Sequence, residues 1–149
     1  MKKFLIFIIF LISSCGYQPI YINKNLKNFE FSKIITEGEN DINKKIINSI
    51  SLKEDRTNIL LNEILLKSSF KVEETSKNKK GQVNSYRSSI FINLSISKND
   101  EIIKNKDFLG EFTYNNKDNK FELVEHQADI KEDLINQAIE DIVLYLNLQ

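Results

Sequence analysis

Few side chains of this sequence could do chemistry, and their scarcity limits what it can do. Among 149 residues there is one cysteine, Cys15, and one histidine, His126. One of each leaves no His/Cys metal cluster. Four glycines are spread along the chain and form no phosphate-cradling loop. Glu125, Asp129, Glu132 and Asp133 fall within two helical turns. They read as a solvated helix face rather than an acid–base pair, and His126 beside them is expected at the surface. Binding chemistry is better represented. Lys77, Lys79 and Lys80 cluster at an expected hairpin tip, with Arg87 just beyond. Lysine meets an anion as a point charge, whereas arginine can grip a phosphate with two parallel hydrogen bonds. In a chain so rich in lysine, the same cluster also reads as a soluble loop.

The cysteine has a setting of its own. Lys2 and Lys3 precede an apolar run, Phe4–Ile12, and then Ser13-Ser14-Cys15. A basic start, an apolar stretch too short to span a bilayer and a pair of small residues make the layout of a secretory leader. An ordinary signal peptide or an N-terminal anchor helix would share that layout. Leu11-Ile12-Ser13-Ser14-Cys15 resembles a bacterial lipoprotein signal. The resemblance implies diacylglycerol on the Cys15 sulfur, cleavage before Cys15 and acylation of the new amino group, with palmitate as the expected chain. Acylation would consume a lone thiol that is otherwise a liability in an exported chain. Multiple acyl chains give a stable hold on a membrane, which one chain alone does not. With Cys15 acylated, no Cys–His nucleophile remains, and an enzyme is not expected.

Cys15 to Gln149 is long enough for one domain with a real core. The chain balances 21 basic against 21 acidic residues, and removing Lys2 and Lys3 leaves 19 against 21. That balance argues against a nucleic-acid partner.

The elements that would hold these residues follow in order. Residues 16–27 read as an extended tether containing the sole proline, Pro19. Phe29–Thr36 alternates as a strand, and Asp41–Leu52 has Ile42, Ile46 and Ile50 on one helical face, with Asn40 or Asp41 as cap. Lys53–Arg56 reads as a solvated loop. Ile64, Leu66, Ser68, Phe70 and Val72 line one face of a strand, and Tyr86, Ile90, Ile92, Leu94 and Ile96 line one face of the next. Around the loop containing Gly81 they predict an antiparallel hairpin with one wet face. A turn at Ser97–Asp100 leads to a strand with Phe108, Phe112 and Tyr114 on one face. Gly110 in that row predicts a bulge or close packing. A long helix over Asp118–Leu148 opens with Phe121 and Val124, and its later stripe is Ile130, Leu134, Ala138, Ile142 and Tyr145. The order β-α-β-β-β-α predicts an α+β two-layer sandwich, a mostly antiparallel four-stranded sheet on two helices.

Cys15-Gly16-Tyr17-Gln18-Pro19-Ile20-Tyr21 resembles the start of mature LptE (RlpB) lipoproteins. The element order, the hairpin over Gly81–Ile96 and Phe112-Thr113-Tyr114-Asn115-Asn116 before the last helix resemble that family too. The resemblance implies a leader at 1–14, a lipidated tether at 15–27 and one α+β domain at 28–149. It implies a subunit of the outer-membrane lipopolysaccharide translocon that plugs the LptD β-barrel, assists its folding and binds lipopolysaccharide. Lys77, Lys79, Lys80 and Arg87 are the residues expected to meet the lipid phosphates. No cofactor is expected beyond the lipid on Cys15. Gly16, in place of the Asp that holds many lipoproteins at the inner membrane, fits outer-membrane sorting. The competing reading is an auxiliary lipoprotein of a lipid-transport ABC system. If the lipoprotein reading holds, the mature N-terminal peptide carries acyl mass by mass spectrometry, and Cys15→Ser yields no acylated peptide.

Overall fold

The computed structural model describes residues 29–148. The expected leader at 1–14, Cys15 and the tether at 15–27 lie outside them. The elements are β1 (Glu30–Phe31), β2 (Lys33–Gly38), α1 (Asn40–Ser49), β3 (Lys53–Glu54), β4 (Glu63–Lys77), β5 (Val83–Lys98), β6 (Glu101–Asn115) and α2 (Lys120–Asn147). The main sheet runs β2-β4-β5-β6. β2 is parallel to β4, and the other two pairings are antiparallel. Both helices cover one face, giving the expected α+β sandwich. The apolar faces read from the sequence form its core: Ile64 and Leu66 of β4, Ile90, Ile92, Leu94 and Ile96 of β5, Ile42 and Ile46 of α1, and Ile130, Leu134, Ala138 and Ile142 of α2. Each fully buried Ile or Leu contributes about 1.5–3 kcal/mol.

Several local expectations need correction. The first strand is split at Ser32, whose amide donates to the Asn62 carbonyl at 2.9 Å. Before the split, β1 pairs in parallel with β3, so Lys53–Glu54 is not a free loop. The amides of Lys53 and Asp55 donate to the carbonyls of Phe29 and Phe31 at 2.9 and 2.8 Å, while the Lys53 and Glu54 side chains remain in water. The first helix begins after Glu39, which makes no side-chain cap; neither Asn40 nor Asp41 caps it. It stops before Leu52 because Ser51 adopts φ +53, and the amides of Ser51 and Leu52 return to the carbonyls of Asn48 and Ile47. This is a Schellman ending; Ile50 and Leu52 are buried, but beyond the helix.

The third long strand starts at Glu101, because a two-residue turn at Asn99 and Asp100, both at positive φ, returns the chain at once. Val72, expected in the core, is 42% exposed, since β4 outruns its helical cover. Phe112 and the opening Phe121 and Val124 of α2 are exposed as well. Asn119 caps α2 by accepting from the Phe121 amide at 2.9 Å. Gly110 marks close packing, not a bulge. A Cβ there would lie 3.1 Å from Ile90 Cγ2 and 3.2 Å from Leu134 Cδ2.

Gly38 (φ +84) ends β2 against β4, and a Cβ would fall 1.9 Å from the Ser68 carbonyl oxygen. Gly81 (φ +79) has open space around its Cβ position. Gly38→Ala therefore loses more than about 2 kcal/mol in denaturant unfolding, from strain plus clash, while Gly81→Ala loses only the left-handed strain of about 1 kcal/mol.

Candidate functional site

The basic cluster sits where the longest hairpin turns. Lys77 closes β4, and its ammonium is 2.9 Å from the Glu74 carboxylate. That hydrogen bond, with the charge attraction, holds the Lys77 pKa above its ordinary range. The turn is tied by Asn78. Its Oδ1 accepts from the amides of Lys80 and Gln82 at 2.9 and 3.0 Å, and its Nδ2 donates to Gln82 Oε1 at 2.9 Å. The Asn78 amide donates to the Gln82 carbonyl at 2.8 Å, and the Gly81 amide to the Asn78 carbonyl at 2.9 Å. Lys79 and Lys80 are exposed and, among the described residues, form no ion pair.

Arg87 is not part of this cluster. Lys77 pairs with Val83, whereas Arg87 pairs with Glu73. Four residues of strand place it about 13 Å down the sheet. There its guanidinium lies 3.8 Å from Glu111 on the uncovered face.

Beside the turn the fold places residues that the sequence did not mark. The Asn116 amide donates to the Asn84 carbonyl at 2.7 Å and its side chain to the Val83 carbonyl at 2.8 Å. These bonds latch the β6–α2 connection to the base of the turn. Lys117 and Lys120 thereby join Asn78, Gln82, Tyr86 and Leu123 around an open cleft of about 420 Å³. In the sequence Asn115 and Asn116 enter through the family resemblance, and the connection is not marked as part of a site. Its position follows from the β5–β6 register, in which Asn115 pairs with Ser85.

His126 is half-buried rather than simply at the surface. Its ring stands edge-on to Tyr114 at 5.4 Å, and Tyr114 stacks on Tyr86 at 5.9 Å. The Tyr114 hydroxyl is 3.2 Å from the Ser88 hydroxyl. Of the acids on α2, Glu132 pairs with Lys45 across the helices, and Glu125, Asp129 and Asp133 are exposed. Among the described residues no group of three His, Cys, Asp or Glu could hold a metal.

Among the described residues nothing covers the sheet face away from the helices. One row reads Glu37, Lys67, Asn93, Asp107, and others read Lys71, Ser89, Glu111 and Glu73, Arg87, Thr113. Asn93 Nδ2 donates to Asn105 Oδ1 and Asp107 Oδ1 at 2.6 and 2.5 Å, and Ser95 Oγ donates to the Asn93 and Asn105 side chains. Phe91 and Leu109, directly paired and exposed, are an apolar island in this wet face.

No protein-family model and no curated protein matches the sequence. Solved structures share its fold. The rare lipoprotein B from Shewanella oneidensis superposes with a TM-score of 0.57 at 13% identity, over 78% of this chain and 93% of its own. An uncharacterized lipoprotein B from Nitrosomonas europaea gives a TM-score of 0.52 at 9% identity, over 82% and 86%. A minor lipoprotein from Acinetobacter baumannii gives 0.51 at 11%, over 77% and 90%. The chain thus has the fold of the rare lipoprotein B structures, at identities where fold is what is shared.

The hydrogen bonds of Asn78 generate the prediction for this site. Asn78→Ala raises amide exchange at Lys80 and Gln82 about tenfold, while the β5 core amides keep their protection.

Proposed function

We propose that this chain is an LptE-type lipoprotein, a lipid-anchored subunit of the outer-membrane lipopolysaccharide translocon that plugs and helps assemble an LptD-type β-barrel. The observation that carries the reading is the fold shared with rare lipoprotein B over nearly all of that protein's length. The leader ending in Ser13-Ser14, with Cys15-Gly16 opening the mature chain, supports export and anchoring. The uncovered polar sheet face supports the plug role. The lumen of an outer-membrane barrel is polar, and a face of paired charges and amides meets such a lining without a large apolar patch. This is binding and assembly work, not catalysis.

Lipopolysaccharide phosphates are met at the hairpin tip. Lys79 and Lys80 carry no acidic partner there among the described residues, and Lys117 and Lys120, with Asp118 between them, leave a net positive charge across the neighbouring cleft. Lys77 contributes less, because Glu74 already satisfies it. Arg87 acts elsewhere, on the open face.

A membrane pull-down through the mature protein, with partners identified by mass, recovers a large outer-membrane barrel. Recovery of an inner-membrane ATPase complex would instead identify an ABC-system auxiliary. Reversing Lys77, Lys79 and Lys80 to Glu weakens lipopolysaccharide binding about tenfold at physiological salt without lowering the melting temperature. Unchanged binding rejects the tip as the site.

A further inference from the structure

The opposite end of the sheet from the lysine turn has a different chemistry. The connection between β3 and β4 holds Ile59 and Leu60 outward, 85% and 77% exposed. Its backbone is tied throughout. Asp55 Oδ1 accepts from the amide and hydroxyl of Thr57 at 3.0 and 2.5 Å, and Asn58 Oδ1 accepts from the Leu60 amide at 3.1 Å. The Leu61 amide donates to the Asn58 carbonyl at 3.2 Å. A fixed turn thus presents two adjacent large apolar side chains to the outside.

A second pair lies at the same end. Ile59 lines a cleft with Ser32, Lys33, Asn99 and Asp100, so this connection borders the β5–β6 turn. Two residues past Asp100, Ile102 pairs with Ser97, while Lys104 pairs with the adjacent Ile96. Ile103 is the extra residue of a β-bulge, and both isoleucines stand exposed. Folding gains little from exposed apolar side chains on a turn and at the start of a neighbouring strand, and apolar surface gathered at one end of a domain marks a contact surface.

The chain itself indicates what covers it. Phe29 leads into β1 and β2, and Lys33, the start of β2, is at this end of the sheet beside Glu63. From Phe29 back to Cys15 is fourteen residues of chain, a reach of at most about 50 Å. An acylated Cys15 would attach the domain to a membrane through this end of the sheet, where the chain enters. Basic and acidic groups alternate around it, with Arg56 bound to Glu54 at 2.9 Å, so charge does not select the surface and apolar area does.

We infer that Ile59, Leu60, Ile102 and Ile103 form a membrane-seating end of the domain, entering the leaflet that holds the Cys15 lipid. This rests on acylation of Cys15 and is independent of barrel or lipopolysaccharide binding. Apolar side chains at the end of the domain that carries the tether can enter the headgroup–acyl boundary, and the cost of bringing them there is reduced by an anchor already in place.

The chain contains no tryptophan, so a single introduced one reports on each site. The full-length lipidated protein is reconstituted as Leu60→Trp, or as Val72→Trp toward the lysine end, in phosphatidylethanolamine–phosphatidylglycerol vesicles. The vesicles are doped with phosphatidylcholine brominated near the top of its acyl chain. The Leu60→Trp emission shifts to the blue and falls by about half, as expected for a side chain at the headgroup–acyl boundary, and the Val72→Trp emission stays that of an exposed indole. A Leu60→Trp emission that remains unquenched overturns the inference. A blue shift without bromolipid quenching overturns it too, assigning the patch to a second copy or another protein. Quenching equal at both positions also rejects it, as general adsorption. A mature N-terminus without acyl mass removes the leash, and the inference with it. Failure to recover a barrel in the pull-down sinks only the plug reading and leaves this result standing.

Discussion

The structure depends on one constraint: the central strand β5 carries an apolar row that must be covered on one side. Ile90, Ile92 and Leu94 are almost wholly buried. β5 is hydrogen-bonded along both edges, so it cannot turn that row elsewhere. Two amphipathic helices provide the cover, one over the β2–β4 side and one over the β5–β6 side. The long helix can approach because position 110 has no side chain, leaving its space to Ile90 and Leu134. Lys45 and Glu132 join the two helices at the surface, but an exposed ion pair adds little beside this packing.

The strands of the hairpin outrun the helices, and that mismatch creates the candidate surfaces. Past Phe70 the β4 arm of the hairpin leaves its cover and is wet, while β5 stays under α2 as far as Tyr86, and the hairpin ends in the Asn78 turn with its lysines. At the other end a bulge and a hydrogen-bonded turn present bare isoleucines and a leucine. Between them the open face is a lattice of charges and amides. The three surfaces differ in kind: one end is cationic, the other apolar, and the open face largely polar.

Period-two alternation was legible over Ile64–Val72 and Tyr86–Ile96, because the pleat sends successive side chains to opposite faces whatever else the chain does. The stripe from Ile130 to Tyr145 was legible for the equivalent helical reason. The β1–β3 pairing was not, since it is made by backbone groups while Lys53 and Glu54 look solvated. Leu52 was drawn into the first helix because it is apolar, yet its burial is achieved beyond a left-handed Ser51. At the candidate site the three clustered lysines were visible as neighbours in sequence. Their closeness to Lys117 and Lys120, and the distance of Arg87, were not.

By itself the sequence determined the class of fold, the chain's single apolar sheet face and the chemistry available: one histidine and one cysteine, too few for a His/Cys metal set, and a basic turn. These are local properties, written in residue type and spacing. Only the tertiary structure decided which residues meet. The β5–β6 register carried Asn116 to the hairpin turn, the parallel pairing of β2 fixed where the chain enters, and the bulge at Ile103 turned two isoleucines outward. Register and bulges depend on pairings between distant segments, whose hydrogen bonds involve backbone groups that every residue shares.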